Sequence, residues 1–239
     1  MLKILSVLFA AGKLGKVLTT GGTMILSVAA YALVWGLPYA VGLVLLIFVH
    51  EMGHYLAARQ RGLAVGAPTF IPFVGAWVAM KDMPRDVETE AYVGLAGPVV
   101  GTLGAIAVYW VAHVQASTLL LAIAYGGFFI NLFNLIPLSP FDGGRITAII
   151  SPRVWLAGVP ILAGLFFWRP SPMLILMALL AAPQVVKAFR HDPNDAETRR
   201  YYTVALGKRM QYAVWYLGLA AFLAIMTYEL HETLTARGR

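Results

Sequence analysis

Apolar segments follow one another along the chain with little polar interruption. The first covers about residues 23–35 and turns at Gly36-Leu37-Pro38. Others cover about 39–58, 92–114, 118–136, 154–167, 173–189 and 212–230, with the short fifth and sixth flanking the turn "WRPSP". A helix needs about 20 apolar residues to cross a bilayer, so the short members tilt, kink or stop part-way. Between the second and third segments lies "LAVGAPTFIPFVGAWVAM", Leu63–Met80. Gly66, Pro68, Pro72 and Gly75 argue against helix there, while Thr69, Ile71, Phe73, Trp77 and Val78 suit short strands. Strand-like backbone at membrane depth has to be buried in protein or line a wet cavity; the alternative is a surface loop.

Composition sharpens this picture. Hydrophobic residues make up 60% of the 239 and charged ones only 12%, against about 25% charged in ordinary soluble domains. The expected fold is therefore an all-α polytopic membrane protein with about six to seven transmembrane helices and a small membrane-associated β-hairpin after the second. With no cysteine, neither a disulfide framework nor a thiolate metal site is possible. The net charge of +7 fits cytoplasmic loops of a membrane protein better than nucleic acid, which is not an expected partner. With the N-terminus inside and all seven segments crossing, every Lys and Arg except Arg169, Arg237 and Arg239 falls on the cytoplasmic side. If the two short segments form a re-entrant hairpin, only Arg169 changes sides. Residues 1–20 read as an N-terminal interfacial segment, 21–150 as the main transmembrane core, 151–190 as a helical hairpin, and 191–239 as a linker and C-terminal transmembrane helix.

Candidate chemistry sits in "VLLIFVHEMGHYLAARQRG", Val44–Gly62. His50 and His54 are four apart, so on a helix they share a face one turn apart and can meet one metal ion. Glu51, beside the first histidine, can hold a water on that metal and take its proton, the arrangement of H-E-x-x-H. Chance expects about 0.003 such matches in a chain with this many His and Glu. An ionisable group near mid-bilayer also costs at least about 2.5 kcal/mol on insertion scales and argues for function. The competing reading has the three residues satisfying one another or anchoring at the interface.

Catalytic zinc takes three protein ligands and keeps one position open. His113, His191 and His231 each lie near a segment end and read as interfacial residues. Asp142, in "NLFNLIPLSPFDGGRI", is the better third ligand, being the lone acid between Glu90 and Asp192. Pro137 and Pro140 break the preceding helix, and Gly143-Gly144 permit close backbone approach. An ordinary turn is the alternative. Two neutral imidazoles, one carboxylate, Zn²⁺ and one hydroxide sum to zero charge, which suits a low-dielectric site.

At this point the chain resembles the site-2 protease family of intramembrane zinc metalloproteases. "HEMGH" (His50–His54), "FIPFVGAWVAM" (Phe70–Met80), "LAGPVVG" (Leu95–Gly101) and "FNLIPLSPFDGGR" (Phe133–Arg145) match the family's motifs in order, across about residues 20–150. Phe141 departs from the usual Leu, both being apolar. The resemblance implies Zn²⁺ held by His50, His54 and Asp142, with Glu51 as catalytic general base and later proton donor. It implies that Asn134 binds substrate or steadies the oxyanion, against a plain helix–helix hydrogen bond. Gly97 and Gly101 have a helix-packing spacing. The implied substrate is a transmembrane helix of another protein, cut in the lipid bilayer. Such a helix hides its carbonyls in its own hydrogen bonds and has to unwind first, and strand-like residues 69–80 offer an edge to capture the opened segment. Short loops and the absence of Cys lean toward a prokaryotic cell membrane, and the Lys and Arg asymmetry places the active site toward the cytoplasmic side. A metal-ion transporter and a non-proteolytic zinc-bound membrane protein are the competing functions.

Overall fold

A computed structural model describes residues 2–73, 75–80, 82–190 and 195–237. Lys81, His191 and Arg239, used above, lie outside the described residues. Helix α1 (Leu2–Trp35) runs without a break through position 20, so the first apolar helix and the segment expected at the interface are one element. Gly36 alone joins it to α2 (Leu37–Gln60), at φ +84°, a conformation strained for any side chain. Pro38 falls in the first turn of α2, where a missing N–H costs nothing. At the far end Gly62 takes φ +74° and the Leu63 N–H bonds back to the Ala58 carbonyl at 3.0 Å, which stops the helix.

Two strands follow, β1 (Val65–Ile71) and β2 (Gly75–Met80), paired antiparallel with Thr69 opposite Trp77 and Ile71 opposite Gly75. Phe73, expected in a strand, lies instead in the connecting turn at φ +62°, because so short a connection needs left-handed backbone. Helix α3 (Val87–Val114) starts at Asp86, whose carboxylate accepts from the Thr89 N–H at 2.7 Å, with Glu88 and Glu90 on its positive end. Then come α4 (Thr118–Asn134), the one-and-a-half-turn α5 (Asp142–Thr147), a 3-10 turn (Pro152–Ala157), α6 (Gly158–Trp168), α7 (Pro172–Phe189), α8 (Ala196–Tyr202) and α9 (Leu206–Arg237).

The centre is the packing of α2, α3 and α4 on one another, with α9 against α4 and α1 against α2 and the hairpin. Gly53 brings α2 so close to α3 that a methyl there would strike the Ala96 carbonyl. The chain is thus an all-α, multi-pass membrane protein with one small hairpin after the second helix. The expected six to seven crossings need correction. Among the described residues four helices are long and apolar enough to span: Leu37–Gln60, Val87–Val114, Pro172–Phe189 and Leu206–Arg237. The remaining apolar stretches are shorter: Thr19–Trp35 within α1, Thr118–Asn134 (α4), and Pro152–Trp168, which joins the 3-10 turn to α6. At 1.5 Å per residue α4 reaches only about 26 Å, less than a hydrocarbon core of about 30 Å.

Candidate metal centre

The middle of α2 buries His50, Glu51 and His54, exposed by 3%, 5% and 6%. Asp142 starts α5 and is 7% exposed, brought to α2 by the turn after α4. Two glycines make that turn possible. A Cβ on Gly143 would overlap the Leu135 carbonyl, and one on Gly144 would stand 2.7 Å from the Leu138 carbonyl carbon. The ordinary-turn alternative for "DGG" therefore gives way to a turn that carries its acid to the two histidines.

The tautomers follow from the partners. The Asn131 amide N–H donates to the Gly127 carbonyl at 2.8 Å, so its Oδ1 faces His50 and accepts from His50 Nδ1–H at 2.8 Å. His54 Nδ1–H donates to the Val93 carbonyl at 2.7 Å. Both Nε2 atoms are then left as lone pairs. They stand 3.1 Å apart, and each is 3.1 Å from the Asp142 carboxylate. Lone pairs and an anion facing one another require a cation between them. Ligand atoms on tetrahedral zinc are spaced about 3.3 Å for bonds of about 2.0–2.1 Å, and the three side chains offer atoms within 4.8 Å of one another. The residues fit zinc.

Glu51 stands outside this donor set. Among the described residues, its Oε2 is buried with no hydrogen-bond partner. It lines a cavity of about 370 Å³ that also reaches Asn134, Arg145, Phe73, Ala76 and Val78. The strand-like stretch after α2 is thus a cavity wall, as irregular backbone at this depth must be. Asn134 shares the cavity with Glu51, whereas Asn131, one turn earlier, is the asparagine that contacts a histidine. Among the other histidines, His113 packs on the Tyr109 ring and bonds its carbonyl, and His231 lies near Tyr125, both away from the cluster.

Two contributors are invisible to motif spacing, Asn131 and the Val93 carbonyl. The one signal for Asn131 is a second amide in an otherwise apolar helix. Gly97 and Gly101, read above as packing positions, have a more specific use. Side chains there would overlap the His54 ring and the Asn131 amide. Asn131→Ala is expected to weaken zinc binding about 10–100-fold, the usual cost of losing a partner that orients a histidine ligand. Asn131→Asp, which keeps an acceptor, should lose less. Competition with a chelating dye measures both.

Comparison with known proteins agrees with this geometry. The family model for peptidase family M50 matches residues 38–117, which hold α2, the hairpin and α3. Zinc metalloprotease MJ0392 of Methanocaldococcus jannaschii is 31% identical over 135 residues, 54% of this chain and 38% of that protein. Rip3 of Mycobacterium tuberculosis is 30% identical over 127 residues, 48% of this chain and 32% of its own length. The chloroplastic EGY2 of Arabidopsis thaliana is 38% identical over 77 residues, 30% of this chain and 14% of its own. The matched stretch thus spans well under half of each of these relatives. With two histidines and an aspartate set around one point and these matches beside them, the chain is similar to peptidase family M50 across α2, the hairpin and α3.

Proposed function

We propose that this chain hydrolyses peptide bonds within or next to transmembrane helices of other membrane proteins. His50, His54 and Asp142 would hold zinc, and Glu51 would act as general base. The observation that carries this reading is Glu51, a buried carboxylate with an unpartnered oxygen, sharing a cavity with the donor set and the hairpin. Zinc, when bound, supplies Lewis acidity that polarises a carbonyl and makes water nucleophilic near neutral pH. Glu51 accepts the attacking water's proton and returns it to the leaving nitrogen. Asn134, on the cavity wall, donates its amide to the substrate backbone or the developing oxyanion.

A substrate helix must open first, since its carbonyls are bonded to N–H groups four residues on. The hairpin offers a place for the opened segment. Helix α1 already covers the outer edge of β1: Thr20 Oγ1 donates to the Pro68 carbonyl at 2.7 Å, and the Phe70 N–H donates to Thr23 Oγ1 at 3.2 Å. Ala76 and Val78 of β2 line the cavity and stand opposite Phe70 and Pro68. Backbone groups of Ala76 and Val78 alternate away from the β1 ladder, so among the described residues they are open to pair with an extended substrate. Ala76→Pro with Val78→Pro is expected to lower cleavage of a reconstituted single-span substrate at least about tenfold, from the loss of hydrogen bonds worth about 1 kcal/mol each, with zinc retained. Cleavage at the wild-type rate would overturn edge capture.

The cytoplasmic side of a prokaryotic cell membrane is the proposed location of the site. Arg61, Glu88 and Lys208, from the ends of α2, α3 and α9, meet at one end of the bundle, with Lys208 Nζ 3.1 Å from Glu88. That end carries the cation-rich loops, which supports its being inside.

A further inference from the structure

The segment that delivers Asp142, residues 135–141, is buried except at Ser139 and Pro140: Leu135, Leu138 and Phe141 are 3%, 2% and 5% exposed. It is a series of turns rather than a helix or strand; some of its N–H groups bond locally, as Phe141 does to the Leu138 carbonyl at 3.0 Å, and the other buried backbone groups need partners from elsewhere. Residues after position 150 supply partners for the segment and its continuation. Trp155 Nε1 donates to the Gly144 carbonyl at 2.7 Å, and Arg209 donates to the Ile150 carbonyl at 2.9 Å. Gln184 Oε1 accepts from the Ser139 N–H. Tyr216 Oη donates to the Leu135 carbonyl at 2.6 Å.

Tyr216 has the most pointed position of the four. The Leu135 carbonyl it binds is the one that Gly143 lies against, so closely that no Cβ fits between. Whatever fixes that carbonyl fixes the surface on which the Asp142 turn rests. Tyr216 belongs to α9, which packs along α4 and so reaches both ends of the segment. The buried residues of the same helix, Tyr212, Leu223 and Leu230, pack into the apolar core.

We infer that α9 is part of the scaffold of the metal centre, and that Tyr216 is a positioning residue for Asp142, acting through the Leu135 carbonyl and Gly143. The inference rests on the reading of His50, His54 and Asp142 as zinc ligands. Tyr216→Phe keeps the ring and removes only the donor. Without it the Leu135 carbonyl is released from α9, and the turn that presents the carboxylate loosens.

The test uses the full chain purified in detergent, as wild type, Tyr216→Phe, Trp155→Phe and Leu223→Ala. Zinc affinity is measured by competition with a chelating dye, and site geometry by the visible spectrum after loading with Co²⁺. Thermal unfolding of the metal-free proteins reports general stability. Tyr216→Phe is expected to weaken zinc about tenfold, in the range for lost outer partners of a metal ligand, and to change the Co²⁺ bands. Trp155→Phe should act in the same direction from the other side of the turn, and carries the test if Tyr216→Phe does not fold. Leu223→Ala should lower the unfolding temperature and leave affinity and spectrum alone. The inference is overturned if Tyr216→Phe matches wild type in both metal readouts, or if Leu223→Ala weakens zinc as much. A wild type that holds no zinc would overturn the ligand reading itself, and this inference with it.

Discussion

Glu51→Gln should lower the rate of peptide cleavage by about 10²–10⁴-fold, the usual contribution of a positioned general base. Glutamine fills nearly the same volume but cannot take a proton from water. The loss should fall on the chemical step, because Glu51 is outside the three-residue donor set and the variant should carry as much zinc as wild type. A second effect runs the other way. The carboxylate is 5% exposed with one oxygen unpartnered, and a neutral amide is cheaper to bury than an ion. Glu51→Gln is therefore expected to unfold at the same temperature as wild type or higher, as often happens when a strained catalytic group is removed. A time course of cleavage of a single-span substrate in liposomes, read by mass spectrometry beside metal content and thermal unfolding, measures all three. A variant that cuts normally would remove Glu51 from the mechanism.

The second large effect is expected at Gly97. A Cβ there would overlap the edge of the His54 imidazole and come within 2.8 Å of its Cδ2. The ring has little room to move, since its Nδ1 is held by the Val93 carbonyl at 2.7 Å. Helix α3 has little room to retreat, since Gly53 already seats α2 against the Ala96 carbonyl. Overpacking of this kind costs about 1–3 kcal/mol. Borne by the ligand ring, that is a loss of about 10–100-fold in zinc affinity, with activity falling at least as far. Gly104→Ala is the control on the same helix. Its Cβ would meet the flexible ends of Val49 and Leu46 at 3.1 and 3.3 Å, and a small loss of stability with unchanged zinc is expected. Equal zinc affinity in Gly97→Ala and wild type would show that α3 does not press on the ring.

These predictions draw on features of unequal legibility. The pair His50 and His54 was readable because helical spacing alone places both on one face, and Asp142 because an acid between two breakers and two glycines has few other uses. The hairpin was readable from its prolines and glycines. The number of crossings was not. All seven apolar runs lie in helices, but hydropathy does not register where each helix stops. Asn134 closes α4, and Trp168 closes α6, well short of a bilayer's thickness. Phe73 was misread because alternation continues through a turn whose backbone is left-handed.

The contacts that orient the ligands were the least legible part. His50 meets Asn131 and His54 meets the Val93 carbonyl across 81 and 39 positions. Helical periodicity says that a residue lies on a face, not which neighbouring helix that face will meet. Gly97 and Gly101 show the same limit. Their spacing announced close packing, but not that the object packed against would be an imidazole and the amide that steadies another. Tyr216 and Trp155 lie farther still from any motif, and only the folded chain brings them to the Asp142 turn.

Zinc content per purified chain, measured after exhaustive dialysis for wild type, Glu51→Gln and Asp142→Ala, tests the centre of this account most directly. One zinc per chain is expected in wild type and in Glu51→Gln, with zinc lost or much weakened in Asp142→Ala. Zinc held equally by Asp142→Ala and wild type, or no zinc held by wild type, would contradict it.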